Sequence, residues 1–212
     1  SDGKLLAVLD CEHPSKHFFA DNQSLLEQVA EVLARKLEQL QGLANIQHSV
    51  AQLEYAGRLQ KVLFNIASLQ YDGDAPAQFY QQLHHNVNSL IYAENFFIAL
   101  YDSDNEVLHF PYFADSREHI GPDQFYPKEI LNHSLTGYVF RTDKPLLADK
   151  ALLAQLDRDH IVKAYGEQPE YWLGVPFKSE ENVQGVVVVQ SYDAERHYQQ
   201  TDLDLLLFVS QH

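Results

Sequence analysis

Methionine is absent from the 212 residues, and cysteine and tryptophan each occur once. A single cysteine, Cys11, excludes an intramolecular disulfide framework and any four-cysteine zinc site. Basic residues are scarce too: fifteen Lys and Arg stand against thirty Asp and Glu, a formal charge of −15. Nucleic acid and anionic lipid both select a basic face, so no nucleic-acid partner and no docking on a charged bilayer are expected. No run reaches the roughly eighteen apolar residues of a membrane span. The opening Ser1-Asp2-Gly3-Lys4 is not a signal peptide. A soluble acidic protein in the cytoplasm is the expectation that remains. The missing methionine, position 1 included, adds the expectation that the chain is an excised piece of something longer.

Hydrophobic residues make up 45% and charged residues 21%, enough to bury a core. Three segments follow one another. In the first, residues 1–21, Leu5-Leu6-Ala7-Val8-Leu9 reads as a buried strand. His13-Pro14-Ser15 ends it, and Asp21-Asn22-Gln23-Ser24 offers N-cap chemistry. The second, residues 22–70, has no proline and carries Leu26, Val29, Leu33, Leu37, Leu40, Leu43, Ile46, Val50 and Leu53 at three- and four-residue steps. Leu59, Val62 or Leu63, Ile66 and Leu69 complete the stripe. One helix of that length reaches roughly 70 Å at 1.5 Å per residue. Its narrow seam is best buried against a second copy, so a homodimeric coiled coil is expected. The alternative is two or three ordinary helices with turns at Gly42 and Gly57, although turn clusters are missing at both.

The third segment, residues 71–212 with a helical lead-in from Leu59, reads as a compact α/β domain. Tyr71 to Ala75 is a turn, with Asp74 as a possible cap and Pro76 fitting a helix start. Phe79, Leu83, Val87, Leu90 and Ile91 form a helical stripe. Phe96 to Tyr101 is a strand, Asp102-Ser103-Asp104-Asn105 a hairpin turn, and Val107 to Phe113 the returning strand. Ala114 to Lys128, with Gly121-Pro122 and Pro127, reads as loop. Ser134 to Thr142 is a short helix, Pro145 to Ala148 a short strand, and Ala151 to Ala164 helix or loop. Trp172 to Phe177 and Val183 to Gln190 are strands joined by a turn at Ser179-Glu180-Glu181-Asn182. A last helix starts at Asp202 and has no terminator before His212. Ala7-Val8-Leu9-Asp10 compares with Gly185-Val186-Val187-Val188, Phe18 with Tyr198 and Leu25-Leu26 with Leu205-Leu206. A strand, loop and capped helix occurring twice suggests tandem copies of one domain, the first reduced to its final strand and loop.

The third segment resembles a GAF domain. Four blocks carry the resemblance in order and spacing: Ala93 to Asp102, Ser134-Leu135-Thr136-Gly137-Tyr138-Val139, Trp172-Leu173-Gly174-Val175-Pro176-Phe177, and Gln184 to Tyr192 with the acidic exit helix. The resemblance implies an α+β fold of the GAF/PAS type, an antiparallel sheet with helices on one face, preceded here by the long helix. It implies a sensory, small-molecule-binding module of a bacterial signalling protein. Ligand state would pass through the helices to a C-terminal output domain, such as a diguanylate cyclase or histidine kinase, which this chain does not contain. The alternatives are a ligand-free GAF domain serving as a dimerisation spacer, or an unrecognised enzyme on the same fold.

Tyr101, Tyr112, Phe113, Tyr138, Trp172 and Tyr192 fall on or near the expected pocket strands and helix. Ordinary core packing is one reading; a cleft that stacks a planar or heterocyclic ligand is the other. Gln190, at the end of the last strand, adds a hydrogen-bonding group, and His109 and His133 sit near an expected rim. A structural histidine remains the plainer reading of both. The adjacent His84-His85 point about 100° apart on a helix and do not chelate one ion easily. His13 and His17 flank Pro14, and Asp157, Asp159 and His160 read as solvated surface, so no metal is expected. GAF enzymes that reduce methionine sulfoxide use several cysteines, and bilin-binding relatives need a pocket cysteine; neither pattern is present. No nucleophile elbow, phosphate loop or His-Glu-x-x-His occurs, so no catalytic role is expected. The sequence names no cofactor.

Overall fold

A computed structural model of the chain describes residues 6–12, 14, 18–69, 76–121, 124–163, 165–179 and 182–211. Several sequence expectations lie outside these residues: Leu5, His13, His17, the turn at Tyr71–Ala75 with its cap Asp74, Pro122, Glu180-Glu181 and His212. The chain divides into two compact units, one ending at Arg58 and one beginning at Leu59.

The first unit holds most of helix α1, Phe18–Ala67, which runs unbroken through Gly42 and Gly57. It begins before Asp21, so Asp21-Asn22-Gln23-Ser24 lies within the helix rather than at its start. The strand expected over Leu5–Leu9 is corrected as well: Leu6 to Asp10 has no regular secondary structure. A lone apolar run gains ladder hydrogen bonds only where a neighbouring strand offers them. The stripe from Leu25 to Leu53 is exposed along α1 within this unit.

The second unit is built on one antiparallel sheet. Helix α2 (Pro76–Asn88) leads into β1 (Asn95–Asp102) and β2 (Val107–Ala114). Asp102 shapes the turn between them, its Oδ1 accepting from the Asp104 and Asn105 amides at 2.9 and 3.1 Å. The stretch 114–128, expected to be loop, contains a three-residue strand, β3 (Phe125–Pro127), and leads to a 3-10 turn at Lys128–Asn132. Helix α3 (Leu135–Thr142) starts at Ser134, whose Oγ accepts from the Gly137 amide at 2.9 Å. Strand β4 (Leu146–Asp149) runs into α4 (Lys150–Arg158), where Asp149 caps the Leu152 amide at 2.8 Å. The hairpin β5 (Tyr171–Ser179) and β6 (Asn182–Ser191) and helix α5 (Gln200–Gln211) complete the unit. The order across the sheet is β3-β2-β1-β6-β5-β4.

Both faces of this sheet are covered, which explains why the run Val186-Val187-Val188-Val189 is apolar throughout and buried throughout. On one face Phe96, Ile98, Leu173, Val175, Val187 and Val189 pack with Ile66 of α1, Leu83 and Val87 of α2, and Leu203, Leu206 and Val209 of α5. On the other, Phe97, Leu108, Phe110, Trp172, Val186 and Val188 meet Leu131, Val139 of α3, Leu156 of α4 and Val162. Each such side chain contributes about 1.5–3 kcal/mol on burial.

One irregularity decides which aromatics face which side. Leu100 pairs with His109 but Ile98 pairs with Tyr112, leaving Phe110 and Pro111 opposite Ala99. This β-bulge sits where proline brings no amide hydrogen to the ladder. It resets the alternation of β2, so Leu108, Phe110 and Phe113 share one face while His109 and Tyr112 share the other.

Candidate functional site

A cavity of about 580 Å³ lies on the α3/α4 side of the sheet. Its floor is apolar: Phe97 and Phe113 stack with centroids 5.2 Å apart, Phe110 meets both edge-on, and Trp172 lies on β5 beside Gln190 of β6. Leu135 and Thr136 of α3, Leu153 and Ala154 of α4, and Ile120, Tyr126 and Val162 form walls. Concave, mostly apolar space with a few placed polar groups is what small molecules use.

Two loops border it. Glu118 in the β2–β3 loop accepts from the Glu167 amide of the α4–β5 loop, and Arg117 stands 3.8 Å from the Glu167 carboxylate. Gly166 suits this junction. Its φ is +69°, and a Cβ there would overlap the Glu118 carboxylate. Lys163 donates its amide to the His133 carbonyl at 2.6 Å, fixing the same loop to the start of α3. The rim carries Glu118, Asp157, Glu167, Lys150 and Lys163. Lys150 is already paired with Glu170 at 2.5 Å.

The polar end of the cavity is a part-buried network. Gln190 Nε2 donates to Asp115 Oδ2 at 2.7 Å and to the Tyr192 hydroxyl at 2.9 Å. Tyr192 donates to Asp115 at 3.2 Å, and its ring lies 4.3 Å beneath the Arg117 guanidinium. Burial, followed by the nearby Asp115 and Glu118 charges, pushes the Tyr192 phenol well above its ordinary range, so it is a hydroxyl at any ordinary pH. Asn95 ties the network to β1: Nδ2 donates to the Gln190 carbonyl at 3.0 Å, and Oδ1 accepts from the amide and hydroxyl of Ser116. Thr136, 7% exposed, adds a hydroxyl that lines the cavity.

Of the residues expected at the site, Phe113, Trp172 and Gln190 line this cavity, and Tyr192 stands behind Gln190. The bulge places His109 and Tyr112 on the opposite face. His109 lies against Phe125, with ring centroids 5.6 Å apart. Tyr101 packs edge-on against Phe140, while Tyr138 packs against the α3-side core without lining the cavity. His133 is exposed and takes part through its backbone. Missing from the sequence reading are Asp115, Glu118, Ile120, Tyr126, Thr136 and Val162. Most sit in stretches without periodicity, and the one local signal was the Ser134 cap, which places Thr136 in the first turn of α3. Among the described residues, no group of three or more His, Cys, Asp or Glu side chains is placed to hold a metal ion. None of the described helices is long and apolar enough to cross a membrane.

Tyr112 has a structural role instead. Its hydroxyl lies 2.8 Å from His84 Nδ1, and His84 Nε2 lies 2.5 Å from the Ala93 carbonyl. The carbonyl only accepts, so Nε2 carries the proton and Nδ1 accepts from Tyr112. The ring stacks on Phe96 at 4.9 Å. Burial lowers the His84 pKa below 6.5; the Ala93 bond opposes this and His85 adds to it. The unfolded chain therefore takes up a proton that the folded chain refuses. Stability from this group is intact above about pH 7 and is lost as pH falls through 6.5 toward the lowered folded value. Urea unfolding at several pH values is expected to show this loss, and His84→Gln is expected to reduce the slope. An unchanged slope in the variant contradicts the assignment.

The model of the GAF domain family matches residues 74–212, and the chain belongs to this family. No curated protein matches it. Solved structures share the fold at low identity. The GAF domain of an Acinetobacter phosphoenolpyruvate-protein phosphotransferase is 17% identical, with TM-score 0.54 over 76% of this chain and 88% of that one. Residues 122 to 287 of a methyl-accepting chemotaxis protein are 14% identical, with TM-score 0.51 over 70% and 90%. The free methionine-R-sulfoxide reductase of Neisseria meningitidis, solved in complex with its substrate, is 14% identical, with TM-score 0.52 over 74% and 86%.

Proposed function

We propose that this chain is the sensory part of a cytoplasmic signal-transduction protein, binding a small molecule in the cavity above the Phe97–Phe113–Trp172 floor. The observation that carries the reading is the cavity itself: about 580 Å³, apolar at the floor, with one buried amide held by a dedicated network. Occupancy shifts α3, α4 and the two bordering loops between states of different ligand affinity. Central strands β1 and β6 communicate the change to α5 and the end of α1. The exposed stripe of α1 pairs with a second copy, giving a homodimer. An output domain of the diguanylate cyclase or histidine kinase kind receives the signal. In this reading the module regulates rather than catalyses, and Cys11, the one cysteine, takes no part in the cavity lining. Membership of the GAF family and a fold shared with part of a chemotaxis protein support this reading.

Thermal shift against a metabolite panel tests it. A ligand at about 100 times its Kd adds about 2.7 kcal/mol, which at this size raises Tm by roughly 5–10 °C. At least one compound is expected to do so in the native chain and not in Phe113→Asp, which sets a charge in the floor. If no compound shifts Tm and an apolar dye also finds no site, the domain is a spacer.

A further inference from the structure

What Gln190 shows the cavity is fixed from behind. Its side chain is almost fully buried, and both hydrogens of Nε2 are used, one toward Asp115 and one toward Tyr192. The Tyr192 hydroxyl accepts from Gln190 and gives its own hydrogen to Asp115. Asp115 is itself anchored, because Oδ1 accepts from the Arg117 and Glu118 amides at 2.8 and 3.0 Å. A carboxylate only accepts, so turning the amide over would set oxygen against oxygen. Gln190 Oε1 has no hydrogen-bond partner among the described residues, yet it is not sealed from solvent.

We propose that Asp115 and Tyr192 lock Gln190 as a hydrogen-bond acceptor, so that the cavity selects flat heteroaromatic compounds carrying a ring N–H. The inference rests on the ligand-binding reading above and deepens it. Phe97, Phe113 and Trp172 supply an aromatic floor on which a planar ring can rest, and Trp172 is the cross-strand partner of Gln190 on the same side of the sheet. A ring without a donor strips water from Oε1 and returns nothing, so it is rejected rather than merely held less well. Gln190 is the reading residue. Asp115 and Tyr192 do not line the cavity and act through it, as positioning residues.

Matched probes test the polarity: indole against benzofuran, and benzimidazole against benzoxazole, each pair alike in shape but exchanging N–H for oxygen. Affinities are measured by ligand-observed NMR on the whole chain. 1-Anilinonaphthalene-8-sulfonate is titrated separately as a probe blind to this polarity. The N–H member of each pair is expected to bind at least about tenfold more tightly. The ratio is expected to fall to about one in Gln190→Met, which keeps length and removes the acceptor. Tyr192→Phe frees one amide hydrogen and is expected to narrow the ratio, an effect that a purely structural role would not produce. Equal binding within pairs, preference for the ring oxygen, failure of all four compounds while the dye binds, or a ratio surviving Gln190→Met overturns the polarity inference. Failure of the dye as well overturns the ligand-binding reading.

Discussion

Gly137→Ala is expected to cost about 3 kcal/mol or more and to lower Tm by roughly 10 °C. The added Cβ would fall inside the van der Waals envelope of the Leu131 carbonyl, carbon and Cα. That neighbour is backbone, so no side chain can rotate out of the way. Leu131 is the buried residue of its 3-10 turn, and Gly137 is the position whose amide Ser134 caps, so the clash reaches both the packing and the start of α3. Ile130, Leu135 and Thr136 line the cavity on either side of the contact, so ligand binding is expected to weaken with stability. Gly42→Ala and Gly57→Ala provide the contrast. No atom lies within 4 Å of a Cβ at either position in α1, and each substitution is expected to add up to about 1 kcal/mol of helix stability. Denaturant unfolding separates the cases. A loss below about 1 kcal/mol for Gly137→Ala would show that the turn and α3 can move apart freely.

Lysine at both Leu33 and Leu40 is expected to convert the proposed dimer into a monomer. From Leu33 to Leu53 the large apolar side chains of α1 are 37% to 73% exposed within the chain. Covering a leucine is worth about 1.5–3 kcal/mol, and a dimer contains four of the leucines replaced. Dissociation is therefore expected to be favoured by at least about a thousandfold. Light scattering or sedimentation reads the mass, and near-ultraviolet circular dichroism shows whether the sheet domain keeps its packing. A native chain that is monomeric at micromolar concentration, or a double variant that stays dimeric, would remove this stripe as the interface.

Local signals in the sequence were strong where one short segment decides its own structure. The four valines of β6, the Asp102 turn, the short helix after Ser134 and the proline-free apolar stripe of α1 all act within a few residues, and each feature stands in the structure. The reading failed where distant segments decide. Strand β3 is three residues long and exists because β2 offers it a ladder. Asp115 and Glu118 matter through Gln190, Tyr192 and Glu167, each about fifty or more positions away. His109 and Tyr112 are expected at the pocket only because they lie on a pocket strand or near its rim, and nothing local shows the bulge that sets both on the other face from Phe113. Trp172 and Gln190, each legible by itself on a strongly apolar strand, are brought together by the regular pairing of β5 with β6.

Pro111 guards against a particular folding error. Were β2 to slide by one position against β1, an imino nitrogen with nothing to donate would occupy a rung that calls for a donor. Aromatic rings meant for the hollow would then press on α2. The misaligned sheet carries both penalties at once, so a residue lying in the offset also disfavours the alternative alignment.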